Sequence, residues 1–210
     1  MRQYRVKNAT VAKVFKEWVK KQPEKPIFYY NDQVWTFKQL DDFSNRVANC
    51  FIELGFNPGD EVALFMESKP EYIGLWLGLA KAGIVTALIN TNQRKESLIH
   101  SILSIDSKAL IYGPELEEAV LEAFQSLRER RDLRYFCFPG SERTGLPVYN
   151  LESMLENALC EDPVSMYLAN HTGKNSMKLR SEFSLKLFSS QQTKFCTFTL
   201  REPPDFPRRR

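Results

Sequence analysis

The sequence predicts an α/β fold up to about residue 160: a largely parallel sheet with helices on both faces. Two observations carry this. Short apolar runs bounded by turn residues recur along the chain, as fully buried strands do. Between them lie segments with helical spacing, long enough to return the chain to the same end of a sheet, so that successive strands run parallel.

The first element is a helix. Val11, Val14, Phe15, Trp18 and Val19 recur at helical spacing with lysines between them, and the pattern stops before Gln22-Pro23. Ile27 to Tyr30 and Val34 to Phe37 are rich in β-formers and flank Asn31-Asp32-Gln33, which predicts a hairpin. A long helix follows, with Phe37, Leu40, Phe43, Val47, Phe51 and Leu54 on one face. Thr36 is its expected N-cap and Gly55 its left-handed stop. Val62 to Met66 reads as a buried strand, and Pro70 suits the first turn of a helix that runs to about Gly83. Strands are then expected at 84–90, 109–112 and 133–138, and helices at 97–105, 115–130 and 151–159.

Composition narrows the function classes. The chain has 210 residues and a formal charge of +3, too small to imply a nucleic-acid partner. The charge is uneven: from Lys174 onward nine basic residues face three acidic ones, a local +6. Cys50, Cys137, Cys160 and Cys196 form no CxxC pair, and Cys50 and Cys137 fall in apolar elements where a thiol acts as a small hydrophobe. His100 and His171 lack a neighbouring ligand set, so no metal site is expected. Met1 to Lys7 is polar and basic, unlike a signal peptide. The most apolar stretch, Tyr72 to Leu79, falls short of the ~18 residues a spanning helix needs.

Three segments together are specific. They are Trp35-Thr36-Phe37-x-Gln39-Leu40-Asp41, Ser44-Asn45-x-Val47-Ala48-Asn49, and Gly59-Asp60-x-Val62-Ala63-Leu64-Phe65-Met66-Glu67. They resemble the opening of the AMP-forming ligases, the acyl-CoA synthetases and their relatives. Gly74-Leu75-Trp76-Leu77-Gly78-Leu79-Ala80-Lys81-x-Gly83 and Ala87-Leu88-Ile89-Asn90-Thr91-Asn92-x-Arg94 resemble the branch of fatty-acid transport proteins and very-long-chain acyl-CoA synthetases. The resemblance covers roughly residues 5 to 140, within the family's N-terminal subdomain. It implies a two-step reaction: ATP and a long fatty acid give an acyl-adenylate and pyrophosphate, then coenzyme A displaces AMP. It also implies Mg²⁺, and a membrane-associated parent at the endoplasmic reticulum, plasma membrane or peroxisome. Relatives of this branch usually carry a spanning segment before the matched region, and Met1 falls after it.

The family's phosphate-cradling loop, close to YIYTSGTTGLPK, is not encoded here. The nearest string, Thr172-Gly173-Lys174, lacks the glycine-rich approach such a loop needs. The tail explains why. One choice of synonymous codons for Leu200 to Arg209 is CTT CGG GAA CCA CCG GAC TTC CCA AGG CGG. Read with one preceding A, the same bases encode TSGTTGLPKA. The same shift through Gln191 to Phe198 permits TNKILYIY. The expected organisation is therefore a partial AMP-binding domain over 1–162 and an out-of-frame, disordered tail over 163–210.

No catalytic, cofactor-binding or metal residue is expected in this chain. Arg94 leaves a strand where ligand-facing residues often lie, but nothing else converges on it, and it is read as a helix-start or surface ion-pair residue. Tyr72 and Trp76 are read as core rather than acyl-chain contacts. Asp41 and Asp42 are adjacent on a helix and point apart, which argues against a paired-carboxylate site. The basic N-terminal helix is read as packing on the domain, with contact to anionic lipid as the alternative. The leading function is an inactive fragment of a long-chain fatty-acid–CoA ligase. The rival is a lipid- or partner-binding truncated isoform, and a third reading is a poorly folded product with uncovered sheet edges.

Overall fold

The structure, a computed structural model, describes residues 10–128, 132–140 and 147–163. The expectations for 164–210, including Thr172-Gly173-Lys174 and the tail, lie outside the described residues.

Helix α1 (Val11–Lys21) starts where the Thr10 hydroxyl accepts the Lys13 N–H. Strands β1 (Pro26–Tyr30) and β2 (Gln33–Thr36) form the expected hairpin, with Asn31 at φ 52° in its turn. Helix α2 (Phe37–Glu53) opens with a capping box. The Thr36 hydroxyl accepts the Gln39 N–H, and the Gln39 carboxamide accepts the Thr36 N–H at 2.8 Å. Such a cap satisfies donors that the first turn leaves unpaired, and contributes about 1 kcal/mol. Gly55, at φ 82°, ends the helix as expected, in a conformation that an L side chain rarely adopts.

The remaining elements are β3 (Glu61–Phe65), α3 (Pro70–Lys81), β4 (Val85–Leu88), α4 (Lys95–Ser104), β5 (Ala109–Tyr112), α5 (Glu117–Leu127), β6 (Arg134–Cys137), β7 (Val148–Asn150) and α6 (Leu151–Asn157). Strands β3 to β7 form one sheet in the order β4-β3-β5-β6-β7, with all pairs parallel. The central strands alternate strictly. Val62 and Leu64 face a core made with α2, α3 and α6, while Ala63 and Phe65 face one made with α4 and α5. Burial on both sides is why these strands read as continuous apolar runs.

Most ends shift by a residue or two, and four departures from the sequence reading stand out. The strand expected at 84–90 is confined to Val85–Leu88. Helix α4 starts at Lys95, two residues early, because Ser97 Oγ accepts the Arg94 N–H and donates to the Arg94 carbonyl. The helix expected from 115 begins as a 3₁₀ turn, Pro114–Leu116, before α5. Strand β7 was not expected at all: three residues are too few for an alternation pattern to register.

Helices α2 and α3 approach closely through two glycines. A Cβ on Gly78 would lie 2.5 Å from Val47 Cβ and 2.7 Å from the Ser44 carbonyl oxygen. A Cβ on Gly74 would meet the Phe43 ring. The glycines that shorten the apolar stretch of α3 are thus what lets the two helices touch.

Candidate functional site

In open parallel sheets, ligands sit beyond the C-terminal ends of the strands, where the chain switches direction across the sheet. Here the connection after β3 leads to β4 on one side, and the next leads to β5 on the other, so the switch lies at β3 and β5. At that switch the strand ends are tied together. The Gly113 N–H donates to the Phe65 carbonyl at 3.1 Å, and the Glu67 N–H donates to Glu115 Oε1 at 3.0 Å. Any side chain at position 113 would run into the Glu115 carboxylate. Beside it a cavity of about 330 Å³ is lined by Arg94, Lys95, Glu115, Glu118 and Glu122, with Leu116 and Ala119.

Arg94 does not reach out to a ligand. Its Nη1 donates to the carbonyls of Thr91 at 2.6 Å and Gln93 at 2.7 Å, folding the guanidinium back on its own loop. Three glutamates outnumber Arg94 and Lys95 in the lining, and the net negative charge opposes a triphosphate. Among the described residues no group of His, Cys, Asp and Glu is placed to hold a metal ion. The residues lining this cavity therefore do not fit Mg²⁺-ATP.

The most developed polar site lies instead between α2 and α3. Lys81, its side chain 5% exposed, donates from Nζ to Asp41 Oδ1 at 2.6 Å, Ser44 Oγ at 2.7 Å and Asn45 Oδ1 at 2.7 Å. Burial disfavours the ammonium and holds its pKa below the usual lysine value, although the hydrogen bond and charge of Asp41 act the other way. Asp42 turns away to pair with Lys38, so the two adjacent aspartates serve different lysines. Further along α2, Asn45 Nδ2 donates to the Cys160 carbonyl at 3.1 Å. Asn49 Nδ2 donates to the carbonyls of Leu159 at 2.7 Å and Glu161 at 2.9 Å. Arg46 Nη1 takes the carbonyls of Leu155 and Glu156, at the end of α6. The motif Ser44-Asn45-x-Val47-Ala48-Asn49 is thus a clamp. Its apolar members enter the core, and its polar members hold Lys81 and the 155–161 segment.

Sequence reasoning missed this network, although one signal was present. Ser44, Asn45 and Asn49 are polar residues interleaved with the buried face of α2, and all three are buried. Tyr72 and Trp76 pack against the core from α3, as read from the sequence. The cysteines also fall as expected: Cys50 and Cys137 are buried and unpaired, while Cys160 is exposed. Burial, with a smaller contribution from Glu53, pushes the Cys50 thiol up to about 11. Burial, with Glu117, pushes Cys137 up to about 12. Alkylation of the folded chain by iodoacetamide at neutral pH should therefore label Cys160 and spare these two until denaturant is added. Mass spectrometry showing early label at Cys50 would contradict the packing of α2.

Comparison with known proteins agrees with this architecture. The family model for AMP-binding enzymes matches residues 15–148. The chain is 45% identical over 139 residues to long-chain fatty acid transport protein 1 of Rattus norvegicus, which covers 65% of this chain and 21% of the relative. The Homo sapiens protein of that name is 46% identical over 139 residues, again 65% and 21%. The chain thus spans about a fifth of the length of these curated relatives. Among solved structures, the fold is similar to the anthranilate CoA ligase AuaEII in complex with anthranoyl-AMP. The TM-score is 0.64 at 18% identity, over 73% of this chain and 29% of that one. A Mycobacterium tuberculosis fatty acyl CoA synthetase gives 0.61 at 22% identity, over 72% and 29%. With the matched region filling most of the described domain, the chain belongs to the family of AMP-binding enzymes.

Proposed function

We propose that this chain is the front part of a long-chain or very-long-chain fatty-acid–CoA ligase, and that in its 210-residue form it does not catalyse the reaction. The parent reaction joins a fatty acid to coenzyme A with conversion of ATP to AMP and pyrophosphate. It would use Mg²⁺ and take place at a membrane. In this reading residues 1–162 are a partial AMP-binding domain and 163–210 an out-of-frame tail. The observation that carries it is the tail, since synonymous codons for Leu200 to Arg209 can be chosen that spell TSGTTGLPKA one frame away. The likeness to long-chain fatty acid transport proteins supports the substrate class.

A phosphate-binding loop works by presenting backbone N–H groups and hydroxyls to the triphosphate. Without that loop, ATP has no cradle and the adenylate cannot be stabilised. Sequencing the transcript across the codons for Glu161 to Arg210 tests the reading. The expected message carries codons for the loop displaced by one base, and a message without them overturns it. The purified chain, given fatty acid, Mg²⁺-ATP and coenzyme A, should release no pyrophosphate above the blank. Turnover by this chain would sink the claim of inactivity while leaving the family intact.

A further inference from the structure

We propose that α1 is a peripheral docking surface for an anionic lipid membrane. Residues 1–25 hold eight basic and two acidic residues, a net +6, whereas 26–162 hold twelve basic and twenty-one acidic, a net −9. Helix α1 divides into two faces. Val19 is buried and Phe15 stacks on Phe37 with ring centroids 5.9 Å apart, which fixes the helix to the domain. Beside that face Val11 is 43% and Trp18 39% exposed, seven residues or about two turns of helix apart on the same strip. Lys21 Nζ sits 5.1 Å from the centroid of the Trp18 ring. Lys13 and Lys20 are exposed, while Lys16 is engaged by Asp162.

An apolar strip with tryptophan, with Lys21 beside it and Lys13 and Lys20 farther round the exposed side of the helix, suits the boundary between headgroups and acyl chains. The indole enters the interface while lysines meet anionic headgroups, each contributing electrostatic attraction near the surface. The −9 remainder is repelled by the same surface, which favours an orientation with α1 toward the membrane. An apolar strip offers nothing to nucleic-acid bases beyond stacking by one ring, so lipid is the better fit. The inference is independent of the ligase reading, since a chain with no adenylating activity would bind equally well.

The test is sedimentation of the full 210-residue chain with vesicles of phosphatidylcholine containing about 30% phosphatidylserine, against phosphatidylcholine alone. Binding is expected only to the anionic vesicles, and should weaken as salt rises above roughly 0.1 M. Replacing Lys13, Lys20 and Lys21 together by Glu should lower the partition coefficient about a hundredfold or more. Trp18→Ser should lower it about tenfold with the salt dependence kept. Both variants alter exposed positions, and unchanged thermal unfolding verifies that they fold. Replacing Arg208, Arg209 and Arg210 by Ser controls for the basic tail and should change nothing. Equal binding to phosphatidylcholine, full binding by the charge-reversed chain, or loss only with the tail variant would overturn the proposal. So would a single-stranded RNA that competes off the vesicles with no effect of Trp18→Ser.

Discussion

Replacing Lys81 by Met should destabilise the described domain by about 3–5 kcal/mol, the cost of breaking a buried ion pair from one side. Lys81 is nearly enclosed and supplies the proton donors for Asp41, Ser44 and Asn45 together. Met fills similar volume and donates nothing, so three acceptors lose a partner, one of them a carboxylate. A domain of this size has only about 5–15 kcal/mol in hand, so the loss is a large fraction of its stability. Urea unfolding followed by circular dichroism gives the difference. Adding Asp41→Asn to Lys81→Met should restore part of it, because the uncompensated charge is gone. A shift of under about 0.5 kcal/mol in the single variant would mean that solvent already serves Asp41. The pH dependence has a definite sign. The folded-state pKa of Lys81 lies below its ordinary 10.5. The unfolded chain therefore holds this proton more tightly, and the Lys81 contribution to stability rises with pH through the interval below 10.5.

Gly78→Val should cost about 3 kcal/mol, the upper end of what overpacking a tight contact costs. The position offers no room: the first carbon of any side chain would overlap Val47 and press on the Ser44 carbonyl, which is backbone and cannot rotate away. Valine adds two further methyl groups to that clash. Gly78→Ala should cost less, since alanine favours helix over glycine by about 1 kcal/mol and offsets part of the overlap. Gly74→Ala is the useful contrast, because its nearest neighbours are the Phe43 ring and the end of Leu40, which can shift. Thermal unfolding should rank the chains wild type, Gly74→Ala, Gly78→Ala, Gly78→Val in falling order. If Gly78→Ala proves more stable than wild type, α2 and α3 are not in close contact.

Much of this fold was legible because it rests on local rules. Ala109–Tyr112 is bounded as read, since four fully buried residues lie between clear turn signals. Pro70 marked the start of α3, and Thr36 and Gly55 marked both ends of α2. The elements that slipped depend on neighbours. Strand β7 exists because Val148, Tyr149 and Asn150 pair with Tyr135 to Cys137, and nothing local encodes that pairing. At the level of the site, periodicity shows where apolar faces lie but is blind to polar groups buried among them. Asp41 and Lys81 are 40 residues apart, and their pairing appears only when α2 and α3 are laid together. Arg94 is the simpler case: its position allowed a ligand, a local role was the favoured reading, and its hydrogen bonds stay within its own loop.

The clamp on α2 has a consequence for synthesis. Asn45 and Asn49 reach acceptors 110 to 115 positions later in the chain, among the most distant partners a domain of this length allows. As the polypeptide leaves the ribosome, α2 can form early and dock α3, yet the Nδ2 groups of Asn45 and Asn49 lack their distant acceptors until Glu161 has emerged. Long-range closures of this kind come late, because the loop entropy precedes the reward. Nascent chains halted at successive lengths should therefore stay protease-sensitive around Asn45 and Asn49 up to residue 158, and gain resistance abruptly once the 159–161 carbonyls are available.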